Sequence, residues 1–185
     1  PVAEFLPILG APETTYYRNK LEFAFSNKRW LLPNEMPERV EPLSPESPDE
    51  HGPKFPGLGF HSAGAFDKVV DIKHCHLQAE PTNAIRNTAR EIALEQELDF
   101  YNVRRHEGFL RNLMVRRCST GECMLLVSFA RDEPEAIKAF LDALLAHLPG
   151  QITTLVYCIN TKRKDTVFDL DMVIYLGKGY VVEQL

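Results

Sequence analysis

Three potential metal ligands are adjacent in the sequence at His74, Cys75 and His76, which makes this triplet a candidate metal site. Neighbouring side chains on an extended chain point to opposite faces, and the three therefore cannot chelate one ion together. Cys75 alone could be one ligand of a site that other residues complete. The alternative is a buried thiol beside two surface histidines, and the residues taken alone favour it.

Two further patterns could bind a cofactor or a metal, but their spacing does not fit. Residues 57–64 are glycine-rich, yet the spacing of their glycines does not fit GxGxxG, and they follow a proline-rich stretch instead of a strand. Cys118 and Cys123 flank a turn and could pair or bind zinc, but the partners for a four-ligand site are missing. We therefore expect no dinucleotide site, and we expect the four cysteines to be reduced.

Basic residues are clustered, and some clusters lie beside aromatic residues. Such clusters can follow a phosphate backbone and stack bases, although the same charges could equally be solvated strand and turn residues. The clusters are Arg18, Lys20, Lys28 and Arg29 with Trp30; Arg104, Arg105, Arg111, Arg116 and Arg117; and Lys162, Arg163 and Lys164. The formal net charge of −5 argues mildly against RNA binding, because nucleic-acid modules are usually basic.

Composition indicates an ordinary globular chain of 185 residues, with 44% hydrophobic and 25% charged residues. The longest apolar stretches, such as residues 124–130, are far too short to span a membrane. The first five residues lack a Met, a basic opening and a signal-length apolar core. We expect an internal segment of a longer, cytoplasmic protein.

The periodicity of apolar residues predicts the elements that position these side chains. Alternation over residues 16–26, followed by residues 29–32, predicts an N-terminal hairpin, and seven prolines make residues 33–56 a loop. Helical spacing begins at Thr82 and recurs over residues 137–145. Further strands are predicted as hairpins at 57–61 with 68–72 and 110–117 with 123–130, and singly at 152–159, 172–176 and 180–183. The predicted fold class is α+β: a mostly antiparallel sheet with two main helices packed on it, plus the N-terminal hairpin and the C-terminal strands.

An ordered series of short blocks resembles the central region of the bacterial RNA uracil-5-methyltransferases, which act on ribosomal and transfer RNA. The resemblance covers nearly the whole chain. The blocks are Tyr17-Arg18-Asn19-Lys20-Leu21-Glu22-Phe23, Leu58-Gly59-Phe60-His61, Val70-Asp71-Ile72 with Cys75 and Leu77, Gly108-Phe109-Leu110-Arg111-Asn112-Leu113 with Val115-Arg116, Ile159-Asn160-Thr161-Lys162, and residues 177–185.

This resemblance implies an architecture and a role. It implies that residues 1–185 are the central domain of a larger S-adenosylmethionine-dependent methyltransferase, with a TRAM-like barrel and a Rossmann methyltransferase domain outside the chain. The attacking cysteine and the cofactor loops would then lie elsewhere, so this segment would be inactive alone. Cys75 would be the possible fourth ligand of a 4Fe-4S cluster in the full protein.

Within the family, the chain resembles the branch that methylates uridine C5 of 23S ribosomal RNA. The leading functional hypothesis is therefore RNA binding for uridine-C5 methylation, with ribosomal RNA favoured over transfer RNA. The residues expected to contact RNA are Arg18, Lys20, Phe60, His61 and Arg111. The alternatives are a stand-alone RNA-binding or adaptor module without catalysis, and a small-molecule-binding α+β domain, which a strong salt-dependent RNA affinity would exclude.

Overall fold

A seven-stranded sheet in the order β3-β2-β1-β4-β5-β6-β7 forms the centre of the fold. The computed structural model describes residues 3, 5–36 and 55–184. The elements are β1 Lys20–Ser26, β2 Gly57–Ser62, β3 Ala65–Val70, α1 Thr82–Glu95, β4 Leu110–Arg117, β5 Cys123–Phe129, α2 Pro134–His147, β6 Thr154–Ile159 and β7 Val173–Leu176, with a short 3₁₀ turn at Pro33–Glu35. The greater part of the predicted 33–56 loop lies outside the described residues.

Alternation along the strands assigns one face of the sheet to the two helices. In β1, Leu21, Phe23 and Phe25 are buried on this face, while Glu22 is exposed on the other. The helix-side core continues through the adjacent strands and the two helices. Its members include Leu113, Val115, Leu125, Val127, Leu155, Ile85, Ala89, Ile92, Ile137, Phe140, Leu141 and Leu144.

Helix α2 joins the only parallel pair of neighbouring strands among the described elements. β5 and β6 run parallel in continuous register from Met124 opposite Thr154 to Phe129 opposite Ile159. A parallel pair needs a crossover connection, and α2 supplies it. The other neighbouring pairs are antiparallel, so the prediction of an α+β fold with two helices on a mostly antiparallel sheet is confirmed.

A second, smaller core lies on the face of the sheet opposite the helices. Leu126, Val156 and Cys158 are buried there against Val167 and Leu170 of the segment that follows β6. This segment covers the part of the face formed by β5 and β6. The part formed by β1, β2 and β4 is left with polar and basic side chains, and we call it the open face.

Two strand predictions were wrong. Residues 29–32 do not return along β1: Arg29 instead makes an isolated parallel bridge to Val69 of β3, and β1 pairs with β2 and β4. Residues 180–183 form no strand; the amide of Val182 donates to the Glu122 carboxylate (2.7 Å), and its carbonyl accepts from the Thr120 hydroxyl (2.7 Å). Among the described residues, no helix is long and apolar enough to cross a membrane.

Candidate nucleic-acid interface

The open face carries two basic side chains at one end of β1. Lys20 lies directly opposite Arg116 of β4, and directly paired residues project to the same side of a sheet. Lys20 is exposed and Arg116 is partly exposed. The two cations therefore form a doublet at the surface, separated from the helices by the sheet.

A shallow concavity of about 390 Å³ lies at the other end of β1. Here Ala24 pairs with both Gly59 of β2 and Asn112 of β4, so three strands meet. His61 and Asn112 supply hydrogen-bonding side chains to this concavity. Glu22, Phe23, Ala24, Gly59, Phe60 and Asp165 complete its lining.

Arg111 lines a smaller recess beside the concavity, and the two share His61, Asn112 and Asp165. The Arg111 side chain is 1% exposed, and its guanidinium donates to the carbonyl of Asn160 (2.6 Å) and to the carboxylate of Asp165 (2.6 Å). Further donations go to the carbonyls of Lys162 and Lys164, and the guanidinium lies 4.3 Å from the centroid of the Tyr101 ring. A planar cation with five donors suits this set of converging oxygens.

The segment after β6 is wrapped around Arg111 and reinforced by Asn160. Asn160 is fully buried; its side-chain amide donates to the Lys164 carbonyl (3.0 Å), and its oxygen accepts from the Lys162 amide (3.1 Å). Lys162 also forms an ion pair with Asp169 and donates to the carbonyl of Thr166. Arg163 and Lys164 are exposed as a result, and they add positive charge beside the concavity.

A buried charge network positions β2 and hence His61. Asp71 accepts a hydrogen bond from Arg90 (2.6 Å) and from the amide of Leu58 (3.3 Å), and it lies 4.0 Å from Arg86. Arg86 is fully buried and donates to the Leu58 carbonyl. Burial lowers the pKa of Arg86, although the nearby Asp71 opposes that shift.

Arg18 lies just before β1, and its backbone pairs with residues 76–77 instead of with the strands next to β1. The amides of Tyr16 and Arg18 donate to the carbonyls of His76 (2.7 Å) and Leu77 (2.9 Å). Arg18 is exposed, with its guanidinium 6.0 Å from the centroid of the Tyr17 ring. Because β1 begins only at Lys20, the expected strand alternation does not relate Arg18 to Lys20.

The surroundings of Cys75 match the buried-thiol alternative. Cys75 is 5% exposed, and the Asn83 side chain accepts from its amide (2.7 Å) and donates to its carbonyl (3.3 Å). His74 and His76 are exposed with their ring centroids 4.4 Å apart. Among residues 3, 5–36 and 55–184, no group of three or more His, Cys, Asp or Glu side chains could hold a metal ion. The described residues therefore give no support for an iron-sulfur cluster, and Cys75 as a fourth ligand in the full protein stays a prediction.

The structure brings together only some of the residues that the sequence indicated. His61 faces the concavity and Lys20 lies on the same face, as expected. Phe60 instead packs on the helix side with its ring centroid 5.0 Å from that of Phe23, and Arg111 is buried. Neither side chain projects freely from the open face, and the observed contacts of both support the interface from inside.

Sequence reasoning did not single out Asn112 or Asp165 as members of the site. Asn112 follows Arg111 in one of the blocks that resemble the methyltransferase family. Its position two residues before Met114 on an alternating strand could have placed it on the open face. Asp165 follows the basic run 162–164, and no local pattern indicates that it reaches Arg111.

This arrangement can bind a polyanion that also presents hydrogen-bonding edges. The cations at Lys20 and Arg116 and those at Arg163 and Lys164 could hold phosphates, while His61 and Asn112 could meet base edges or sugars. The acidic side chains Glu22 and Asp165 occupy the centre of the face. Phosphates are therefore expected at its ends.

Comparison with known proteins points to RNA methyltransferases. The chain is similar to an uncharacterized RNA methyltransferase of Porphyromonas gingivalis, with 47% identity over 186 residues that cover 100% of this chain and 38% of that protein. A second uncharacterized RNA methyltransferase, from Bacteroides thetaiotaomicron, is 43% identical over 98% of this chain and 38% of its own length. The chain thus spans less than two fifths of these relatives. No protein-family model matches it.

One solved structure has a related fold. It is the Pyrococcus abyssi tRNA (uracil-54, C5)-methyltransferase in complex with S-adenosyl-L-homocysteine, with a TM-score of 0.61 and 18% identity. The match covers 94% of this chain and 34% of that one. At this identity the likeness concerns the fold alone.

Proposed function

We propose that this chain is the RNA-binding central domain of an S-adenosylmethionine-dependent RNA methyltransferase that modifies C5 of uridine. The observation that carries the proposal is the similarity of at least 98% of this chain to a segment of each of two proteins named RNA methyltransferases. That segment makes up 38% of each protein's length. The choice of uracil C5 rests on the sequence blocks that resemble the RNA uracil-5-methyltransferases, and the fold, which resembles that of a tRNA uracil-C5 methyltransferase over 94% of this chain, is compatible with it.

In this proposal, the methyl donor and the reacting cysteine are supplied by a part of the protein outside residues 1–185. The concavity beside His61 is open and shallow, unlike the enclosed pockets that cofactors usually occupy. Isothermal titration of the 185-residue chain with S-adenosylmethionine is expected to give no binding heat. Tight binding would contradict the proposal that the cofactor is held by a part of the protein outside residues 1–185.

The RNA is proposed to lie across the open face. Lys20, with Arg18 and Arg116, would hold phosphates at one end of β1, and His61 with Asn112 would meet a nucleotide at the other. Arg111 would act indirectly by fixing residues 160–165 beside the concavity. A ribosomal substrate is proposed because the sequence blocks resemble the ribosomal branch of the family, although the solved relative acts on transfer RNA.

The test is RNA binding by the 185-residue chain at several salt concentrations. The double variant Lys20→Ala, Arg116→Ala is expected to bind RNA about tenfold more weakly, with a salt slope smaller by about 1 to 2. The control is Arg131→Ala, Lys138→Ala, which removes the same charge from α2 and the loop before it. An equal loss in both double variants would contradict a specific role for the open face.

Competition between RNAs tests the choice of substrate. Fragments of ribosomal RNA are expected to displace a labelled ribosomal hairpin better than transfer RNA does. Preference for transfer RNA would contradict the ribosomal substrate and favour a transfer-RNA substrate. It would not change the result expected for the Lys20→Ala, Arg116→Ala variant.

A further inference from the structure

An aromatic cavity lies at the β3 edge of the sheet, distinct from the concavity at His61. Its volume is about 290 Å³, and Trp30, Leu31, Met36 and Phe55 give it an apolar surface. The remaining lining residues are Lys28, Arg29 and Lys68, all cationic. Trp30 is 48% exposed, although burying a ring of this size would contribute substantially to stability.

The backbone holds Trp30 rigidly in this exposed position. The Trp30 amide donates to the Val69 carbonyl (2.7 Å), and the Val69 amide donates to the Lys28 carbonyl (3.2 Å). On the other side, the Arg29 amide donates to the Phe55 carbonyl (2.8 Å). The ring is thus presented by an extended segment with hydrogen bonds on both sides, so little conformational entropy is lost when a ligand binds.

Cations accompany the aromatic rings along this edge. The Lys68 ammonium lies 5.6 Å from the centroid of the Trp30 ring. Two residues earlier on β3, Phe66 is 61% exposed, with the Arg104 guanidinium 5.0 Å from its ring centroid. The carboxylate of Glu35, at the end of the 3₁₀ turn, is engaged by Arg29 through two hydrogen bonds of 2.9 Å. Cationic groups therefore accompany the exposed aromatic surface, with Arg29 paired to Glu35 and Arg104 paired to Asp67 (2.6 Å).

We propose that Trp30 is a stacking platform for an unpaired base of single-stranded RNA, with Lys28 and Lys68 beside its phosphates. Flat aromatic surface next to cations fits a ligand with planar rings and negative charge, and single-stranded RNA combines the two. A purely apolar peptide offers no negative charge to the cationic groups along this edge. This inference rests on the proposed RNA-binding function and adds a second contact site to it.

Intrinsic fluorescence provides a direct test, because Trp30 is the single tryptophan of the 185 residues. The full chain is titrated with oligoadenylate of about 12 nucleotides, a length within the usual range of single-strand sites. The matched probe is an abasic oligomer with the same number of phosphates. Oligoadenylate is expected to quench Trp30 strongly, and the abasic oligomer much less, since only a base can stack on the ring.

Variants separate stacking from charge. Trp30→Leu is expected to weaken oligoadenylate binding, measured by anisotropy of a labelled oligomer, about tenfold. Binding of the abasic oligomer should be unchanged, and Trp30→Phe should retain most of the affinity. The control is Tyr180→Leu, which removes a 58% exposed ring with Lys178 5.1 Å from its centroid, in the chain beyond β7 at the opposite edge of the sheet. Urea midpoints confirm that each variant remains folded.

The outcomes distinguish this inference from the proposed function. RNA binding without quenching, equal quenching by the two oligomers, or equal losses for Trp30→Leu and Tyr180→Leu would overturn the stacking platform and leave RNA binding intact. No detectable RNA binding at low salt would overturn both.

Discussion

Arg111 illustrates how a residue in a functional motif can act through the fold. Its guanidinium donates to backbone carbonyls of the 160–164 segment and to Asp165 while remaining almost wholly inaccessible. Arg111→Ala is expected to lower the free energy of unfolding by about 3 kcal/mol, because buried carbonyl oxygens lose their donor. Urea denaturation with an unchanged slope would measure this. Arg163→Ala, which changes an exposed neighbour, should change stability by less than about 0.5 kcal/mol. Equal losses of stability for Arg111→Ala and Arg163→Ala would contradict a structural role for the Arg111 hydrogen bonds.

Cys123 makes the stability of the protein depend on alkaline pH. Burial raises the pKa of the Cys123 thiol from 9.0 to about 11. The unfolded chain therefore ionises at Cys123 near pH 9, whereas the folded chain stays protonated until about pH 11. Its contribution is complete below pH 9 and is lost as the pH rises towards 11.

Replacing this thiol should flatten the alkaline limb of the stability profile. Between pH 8 and pH 11, the free energy of unfolding of Cys123→Ala is expected to fall by about 2 kcal/mol less than that of the wild-type chain. Denaturant midpoints at the two pH values measure this difference. Parallel profiles for the two proteins would show that Cys123 ionises alike in the folded and unfolded states.

At the residue scale, strand alternation predicted the direction of some side chains in the candidate interface and not of others. Lys20 and His61 could be placed outward because period-two alternation reports the side of a strand. Arg111 could not be placed, since the ladder between β4 and β5 is irregular between Leu110 and Asn112, and such an irregularity breaks the alternation. Phe60 lies on the helix side together with Phe23, so its aromatic type alone was no guide.

At the scale of elements, the close approach of β2 and β3 depends on Gly59. A Cβ at this position would lie 1.9 Å from the carbonyl oxygen of Val70, so the two strands would have to separate. Gly59→Ala is expected to lower the free energy of unfolding by about 3 kcal/mol. Gly10→Ala is the control, because a Cβ at Gly10 would meet nothing within 4 Å. If calorimetry gave both variants the wild-type melting temperature, the described contact would be wrong.

Local pattern predicted most elements and failed where the partner of an extended segment mattered. Residues 57–61 and 68–72 were expected to form a hairpin, and β2 and β3 do so. Residues 29–32 do not form the expected hairpin with β1. Alternation of apolar residues predicts an extended segment but does not predict which strand it pairs with. The bridge from Arg29 to Val69 joins residues 40 positions apart, and no local turn signal specifies it.

At the scale of the whole molecule, the net charge of −5 and the proposed RNA binding are compatible because charges act locally. At physiological ionic strength, exposed charges are screened beyond about 8 Å. If Arg18, Lys20 and Arg116 make about three phosphate contacts, the logarithm of the affinity for single-stranded RNA should fall with a slope of about −2 against the logarithm of salt concentration.

Neutralising a remote acid tests this locality. Glu135 is exposed in the first turn of α2, on the helix side of the sheet. Glu135→Gln should leave the salt slope and the RNA affinity unchanged in anisotropy titrations. A marked gain in affinity would mean that the overall charge, and not the open face, governs binding.

The short extended segment at residues 27–30 also affects how the protein behaves at high concentration. An edge strand normally presents unpaired amides and carbonyls that can template another chain. Along β3, the amide and carbonyl of Val69 are already bonded to Lys28 and Trp30 of the same chain. At Val69 the edge of the sheet is therefore closed to strand addition by another chain.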